Sequence, residues 1–173
     1  MGGIKKSGFS FDSYKIDKVE LHTAPHVGML RFQDRIPNDA WELDLTIRQP
    51  VFYRHQNEYI GGMDIRLKLA QDDGEGAEPF LLIELTAGIA GIFSVGEEGL
   101  PPGVEETLVK LQIPTILFPY LRGTVTSLMA NAGLGVFIFP LINLHKVAEE
   151  GFQDMDIKII EDEPNDSPSS SIG

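Results

Sequence analysis

Three stretches of the chain alternate apolar and polar residues with a period of two, the spacing of strands that bury one face. Trp41, Leu43, Leu45 and Ile47 share one face, with Glu42, Asp44, Thr46 and Arg48 opposite. Met63, Ile65, Leu67 and Leu69 repeat the pattern around Asp64, Arg66 and Lys68, and Phe80 to Leu85 forms the third stretch. The polar, glycine-bearing run from Gln71 to Glu78 reads as the turn joining the second to the third. Phe11 to Leu21 predicts a further strand with weaker alternation. The connections are too short for helical crossovers, so the strands are expected to form an antiparallel meander.

The second half changes character. Glycines and prolines from Gly96 to Gly103 break the chain before a short helical patch at Glu105 to Leu111. After Pro114, the residues Leu117, Tyr120, Leu121, Thr124 and Leu128 recur at helical spacing up to Gly133, a C-terminal stop. An interior proline would break this helix, so Pro119 is expected in its first turn or at its true start. A second helix is predicted by Asn143 as N-cap, by Leu144, Val147 and Ala148 on one face, and by Gly151 at its end. Strands first and helices afterwards predict an α+β domain, with the helices on one face of an antiparallel sheet.

At 173 residues the chain is long enough for one domain with a genuine core. Residues 11–160 are assigned to that domain and residues 1–10 to a flexible N-terminus. Residues 161–173 (EDEPNDSPSSSIG) lack the apolar content to fold and are expected to be a disordered tail.

Charge narrows the partners. The formal charge of −12, from 14 basic and 26 acidic residues, repels nucleic acid backbones and anionic membranes. Between Glu149 and Asp166 eight carboxylates stand against Lys158 alone, which reads as a solvated tail or as an acidic docking segment for a basic partner. The absence of cysteine excludes disulfides and thiolate chemistry, and fits a reducing compartment. No apolar run follows the N-terminal lysines, so no signal peptide is expected. The longest apolar stretch, Leu134 to Leu144, is about half the length of a spanning helix and contains Pro140. A cytoplasmic protein without membrane insertion is expected.

Catalytic signals are few. His22 and His26 have metal-ligand spacing only on a helix, and Thr23-Ala24-Pro25 between them opposes one. No serine occupies a G-x-S-x-G turn, and Gly133-Leu134-Gly135 follows a helix rather than preceding one, so it is no phosphate cradle. No carboxylate pair sits in an apolar frame suited to acid catalysis. Neither an enzyme nor a metal or cofactor is expected.

The unusual feature is apolar. Gly88 to Phe93 and Val136 to Phe139 stand beside glycines and prolines. They are either buried packing or the lining of a groove for apolar peptide segments, with glycines admitting a client backbone. Phe137 and Phe139, two apart, share one side of an extended segment. That side is either core or groove, and the groove is preferred for at least one ring.

Four stretches carry a resemblance: Glu84 followed by Gly91 to Val95, Ile116-Leu117-Phe118-Pro119-Tyr120-Leu121-Arg122, Thr126 to Met129, and Phe139-Pro140-Leu141-Ile142-Asn143-Leu144. In this order they resemble the SecB family of export chaperones, well over residues 80–150 and more thinly over Tyr14 to Pro25. The resemblance implies a four-stranded antiparallel sheet with two helices packed on one face, and a homotetramer built as a dimer of dimers. It implies ATP-independent holding of unfolded preproteins and their transfer to the SecA translocase motor. Leu82 and Glu84 take the place of motor-docking residues on the outer face of the sheet, with Asp17, three residues after Tyr14, as a further acidic position. The client-binding candidates are Trp41, Phe93, Phe137 and Phe139. Between Glu84 and Gly91 the chain has about two residues more than the family pattern, which implies a bulge or a longer turn. Two further readings are a SecB-like chaperone dedicated to one client, for example an antitoxin, and a carrier of a small apolar ligand.

Overall fold

The computed structural model describes residues 8–25, 27, 41–71, 80–101, 103–135, 137–151 and 155–161. Among the described residues five strands come first: β1 Phe9–Thr23, β2 Trp41–Ile47, β3 Val51–Tyr53, β4 Glu58–Gln71 and β5 Phe80–Val95. β5 lies between β1 and β4, and all three pairings of the long strands with their neighbours are antiparallel. β2 and β3 line up one after the other along the far edge of β4, opposite Met63–Leu69 and Glu58–Ile60. Arg48, Gln49 and Pro50 interrupt them, and Pro50 has no N–H to continue the ladder. The Arg48 amide still donates to the Gly62 carbonyl at 2.9 Å, which keeps the two pieces in line. The four expected lanes are therefore present, one of them broken.

A sixth strand, β6 Lys158–Ile160, pairs parallel with β3 and makes the sheet mixed. Three residues are too few for alternation to signal it. β1 begins at Phe9, which is 8% exposed and stacks on Phe93, so two residues of the expected flexible N-terminus are strand. The Gln71–Glu78 turn, beyond Gln71 itself, and the 162–173 tail lie outside the described residues.

The segment Gly88–Phe93 is the middle of β5, hydrogen-bonded on both sides, with Ile89 and Phe93 fully buried. Both edges are paired, and the half-buried outer positions are the apolar Ala90 and Ile92, so the segment reads as a continuous apolar run. No bulge separates Glu84 from Gly91 in the pairing with β4, where the register is unbroken from Ser94 to Ile83. The irregularities fall on β1 instead, where Asp12 and Asp17 are the extra residues, and beside Leu82, where Leu69↔Ile83 gives way to Ala70↔Leu81.

The helical half begins with α1 Glu105–Thr107, passes through a π-helical turn at Leu108–Gln112, and continues as α2 Ile113–Asn131. Pro119 lies inside α2, contrary to the expectation that it would start the helix. Most helical stability in a protein comes from packing of the apolar face rather than local propensity, and here that face outweighs the missing bond. Ile113, Leu117, Leu121, Val125 and Met129 recur every four residues and are all buried, while the Pro119 ring is exposed. Tyr120, expected on the inner stripe, is 40% exposed. The π turn stands directly before Pro114, where a wider turn relieves the clash of the proline ring with the preceding carbonyls.

α3 Leu144–Gly151 is capped as its sequence predicts: the Lys146 amide donates to the Asn143 side-chain oxygen at 3.2 Å. Its buried Ala148 belongs to the core that lies between the sheet and the helices. The opposite face of the sheet carries the polar half of each strand.

Candidate functional site

The segment between α2 and α3 carries Phe137 and Phe139, each 8% exposed. Their rings meet at 5.3 Å, Phe137 meets Trp41 of β2 at 4.9 Å, and Phe139 meets Phe118 of α2 at 5.8 Å, three edge-on contacts. The spacing of two puts both rings on one side, and that side is the core. Ile138 between them is 68% exposed and Leu141 fully so. Three of the four client-binding candidates thus form one aromatic cluster, with Trp41 half-buried at its rim. Phe93 is not among them. It has no exposed surface and packs between Phe9 and Phe11. The glycines expected to admit a client instead admit the chain's own helix. A Cβ at Gly91 would lie 2.7 Å from Leu117.

An exposed aromatic pair stands elsewhere on the helix side. Tyr14 of β1 and Tyr120 of α2 are 45% and 40% exposed, with ring centroids 4.4 Å apart. Phe11 adjoins Tyr120 at 5.7 Å, and Val19, further along β1, is 45% exposed. Among the described residues β1 pairs with β5 alone, so its other edge is open along 15 residues. The Pro119-Tyr120 pair in the second-half motif is the sequence signal for this exposed ring.

The outer face holds the docking candidates. Arg48 reaches over the sheet to two carboxylates, Asp17 at 2.5 and 2.9 Å and Asp64 at 2.6 and 2.7 Å. The break after β2 frees Arg48 and the bulge at Asp17 presents its partner. Gly88 clears the path, since a Cβ there would lie 2.2 Å from the guanidinium. Hydrogen bonding from Arg48 holds the Asp17 carboxyl below its ordinary range against an opposing effect of burial, and the two carboxylates, Asp64 first, push the Arg48 pKa up. Asp17 is therefore committed to an internal ion pair.

Glu84 accepts from Arg66, with the Nε contact at 2.8 Å, and this hydrogen bond, with the nearby Lys68 and His22, holds its carboxyl low. It remains accessible on the outer face. Leu82 is 5% exposed at the register shift, and its carbonyl accepts from the Ala24 amide at 2.8 Å. Asp17 and Glu84 share a face but not a patch. Glu84 pairs with His22, five residues along β1 from Asp17, a separation of about 17 Å at strand rise. His26 and Val136 lie outside the described residues. No helix among the described residues is long and apolar enough to cross a membrane.

Residues 31–154 match the model of a family described as SecB, preprotein translocase subunit SecB. The protein-export protein SecB of Afipia carboxidovorans is 32% identical over 74 residues, 43% of this chain, and the match spans 45% of that protein's length. Among solved structures, a SecB-like chaperone of Mycobacterium tuberculosis in complex with a ChAD peptide from an antitoxin is similar with a TM-score of 0.56. The identity is 11%, over 78% of this chain and 91% of that one, a likeness of fold.

Proposed function

The chain belongs to the SecB family, whose members are chaperones and not enzymes, and from that membership we propose that it holds unfolded proteins without ATP. The observation that carries this reading is the family match over residues 31–154, which takes in β2 to α3 and hence most of the sheet and the helices α1 to α3. Exposed apolar groups support it. Tyr14, Val19, Tyr120, Ile138 and Leu141 all offer surface that a monomeric enzyme would have reason to cover. Individual contacts with an extended client are weak, and several sites on one assembly raise residence through effective concentration.

The assembly is a homotetramer, a dimer of dimers. The open β1 edge and the Tyr14–Tyr120 pair beside it supply a strand and a helix surface for the first contact. The clients are preproteins, the location is the cytoplasm, and the client passes to the SecA motor through carboxylates on the outer face, Glu84 first among them. The alternative is a chaperone with one dedicated client, favoured by the fold likeness to a chaperone that carries an antitoxin peptide. An apolar-ligand carrier is the weakest reading, because an outer-face depression is lined mostly by polar residues, Asp44, Thr46, Asp64, Arg66 and Thr86, with Leu45 and Ile65 between them.

The test is to add the purified chain to unfolded preproteins and to unrelated aggregating proteins, and to read light scattering and co-purification. Protection of many clients and binding to SecA support the export role. Protection of a single partner encoded beside it supports the dedicated role. No protection of any client, from a chain that is folded and tetrameric, overturns the chaperone reading.

A further inference from the structure

β6 differs from every other strand in the sheet. It is parallel where the rest are antiparallel, and in three residues it closes the edge of β3, itself three residues long. Its register is Val51↔Lys158, Phe52↔Ile159 and Tyr53↔Ile160. Besides the ladder of that three-residue pairing, main-chain bonds flank it at both ends, from the Lys158 amide to the Pro50 carbonyl at 2.9 Å and from the Arg54 amide to the Ile160 carbonyl at 3.0 Å. The Gln49 side-chain amide donates to the Asp156 carbonyl at 3.0 Å, and Arg54 pairs with Glu161 at 2.7 Å on the surface. Met155 and Ile157 rest partly buried against the core, Ile159 is 52% exposed, and no residue from 155 to 161 is fully buried.

These attachments are shallow. Hydrogen bonds contribute little net when water can replace them, an exposed ion pair contributes less, and ordering seven residues opposes both. A segment held this way opens without unfolding the body. What it leaves behind is specific: a carbonyl at Pro50, an amide N–H at Arg54, a carboxamide at Gln49 and a guanidinium at Arg54 along one extended edge, with an apolar seat for two side chains.

We propose that the β3 edge is a strand-addition site for an extended peptide, and that β6 occupies it in cis as a removable plug. The segment it takes has the chemistry of residues 155–161: apolar residues two apart, then a carboxylate four residues after the second to reach Arg54. A stretch of unfolded client is the partner, and that identity rests on the holdase reading, whereas the site itself does not.

The probe is a labelled peptide of residues 155–161 offered in trans to two full-length chains, the natural one and Ile157→Asp, which unseats β6. The peptide should bind the variant at least tenfold more tightly than the natural chain. Adding Arg54→Glu to the variant should weaken binding several-fold at low salt, and a peptide with lysine in place of Glu161 should restore it. Equal binding to both chains, or none to a variant with native circular dichroism, overturns the site. A second readout needs no variant. In the natural chain the Arg54 amide, bonded to β6, should exchange its hydrogen at least a hundredfold faster than the Ile89 amide in the middle of β5. Equal protection would make β6 part of the global fold and overturn the proposal even if Ile157→Asp failed to fold. An unfolded client that displaces the bound peptide supports client use of the edge. Peptide binding that no client displaces assigns the edge to another partner, and the general holding activity is then judged by aggregation alone.

Discussion

Gly61 of β4 and Gly91 of β5 are directly opposed in the sheet, and the missing side chains at this pair let α2 lie close against it. A Cβ at Gly61 would stand 2.6 Å from Ile113 Cγ2 and 3.1 Å from its Cδ1. At Gly91 the nearest atom would be the terminal Cδ2 of Leu117, at 2.7 Å. The two clashes differ in kind, because a leucine tip can rotate away and a β-branched methyl cannot. Gly61→Ala is therefore expected to cost about 1–3 kcal/mol, and Gly91→Ala less. Urea unfolding of both variants measures this, and equal losses would mean that the whole helix lifts instead.

The buried rings of Phe137 and Phe139 make a second expectation. Each change to alanine should cost about 3–5 kcal/mol, whereas Ile138→Ser should stay within about 0.5 kcal/mol. The chain has one tryptophan, and it touches Phe137, so Phe137→Ala should also shift Trp41 fluorescence to longer wavelength as water enters. Thermal melts and emission spectra check both. Unchanged melting of both phenylalanine variants would return these rings to the client surface.

Legibility in the sequence followed how much neighbours contribute to each element. β2 and β4 have one wet face, so their alternation was visible residue by residue. The centre of β5 carries Gly88, Ala90 and Ile92 where a wet face would carry polar residues, so it reads as a glycine-broken apolar run, open to interpretation as a loop. Pro119 obeyed a local rule in the sequence and a tertiary one in the structure, where the Leu117–Leu121–Val125 stripe against the sheet decides. The period of two around Phe137 told which rings travel together, but which side faced inward depended on Trp41 and Phe118, far away in sequence. The Arg48 bridge needed the β1 bulge, which no single-strand pattern contains.

That bridge sets a pH dependence. The Asp17 carboxyl is held below its ordinary value of 3.8 chiefly by its hydrogen bond from Arg48. A depressed folded-state pKa gives stability that is fully present above the unfolded value and fades as pH falls through the folded one. Arg48→Met should lower stability at pH 7 by about 1 kcal/mol, since the site is partly exposed and screened. The gap between variant and natural chain should narrow in acid, as the pH falls through the lowered Asp17 pKa. Denaturant titrations at pH 7 and pH 3 measure it, and a gap that widens in acid would contradict the assignment.

Glu84 separates ion pairing from docking. Its carboxylate lies on the outer face against Arg66, with Lys68 opposite on β4 and His22 opposite on β1. Glu84→Lys would set a cation among three basic groups, so a modest fall in melting temperature is expected, smaller at high salt. The fall should also shrink in acid. The natural carboxyl is held low by Arg66, and its contribution is lost as pH falls through that lowered pKa. If the SecA motor reads carboxylates here, the same change should reduce motor binding, mainly through the association rate at low salt. Arg66→Glu breaks the same pair yet adds negative charge, so it should destabilise the chain without weakening the motor contact. The double exchange, Glu84→Arg with Arg66→Glu, should recover stability and leave the net charge of the face unchanged. Binding by the double exchange equal to the natural chain would show that the motor senses the net field of the face. Binding as weak as Glu84→Lys would show that it reads the carboxylate at position 84 itself. Binding unaffected in every variant at low salt would remove Glu84 from the docking surface.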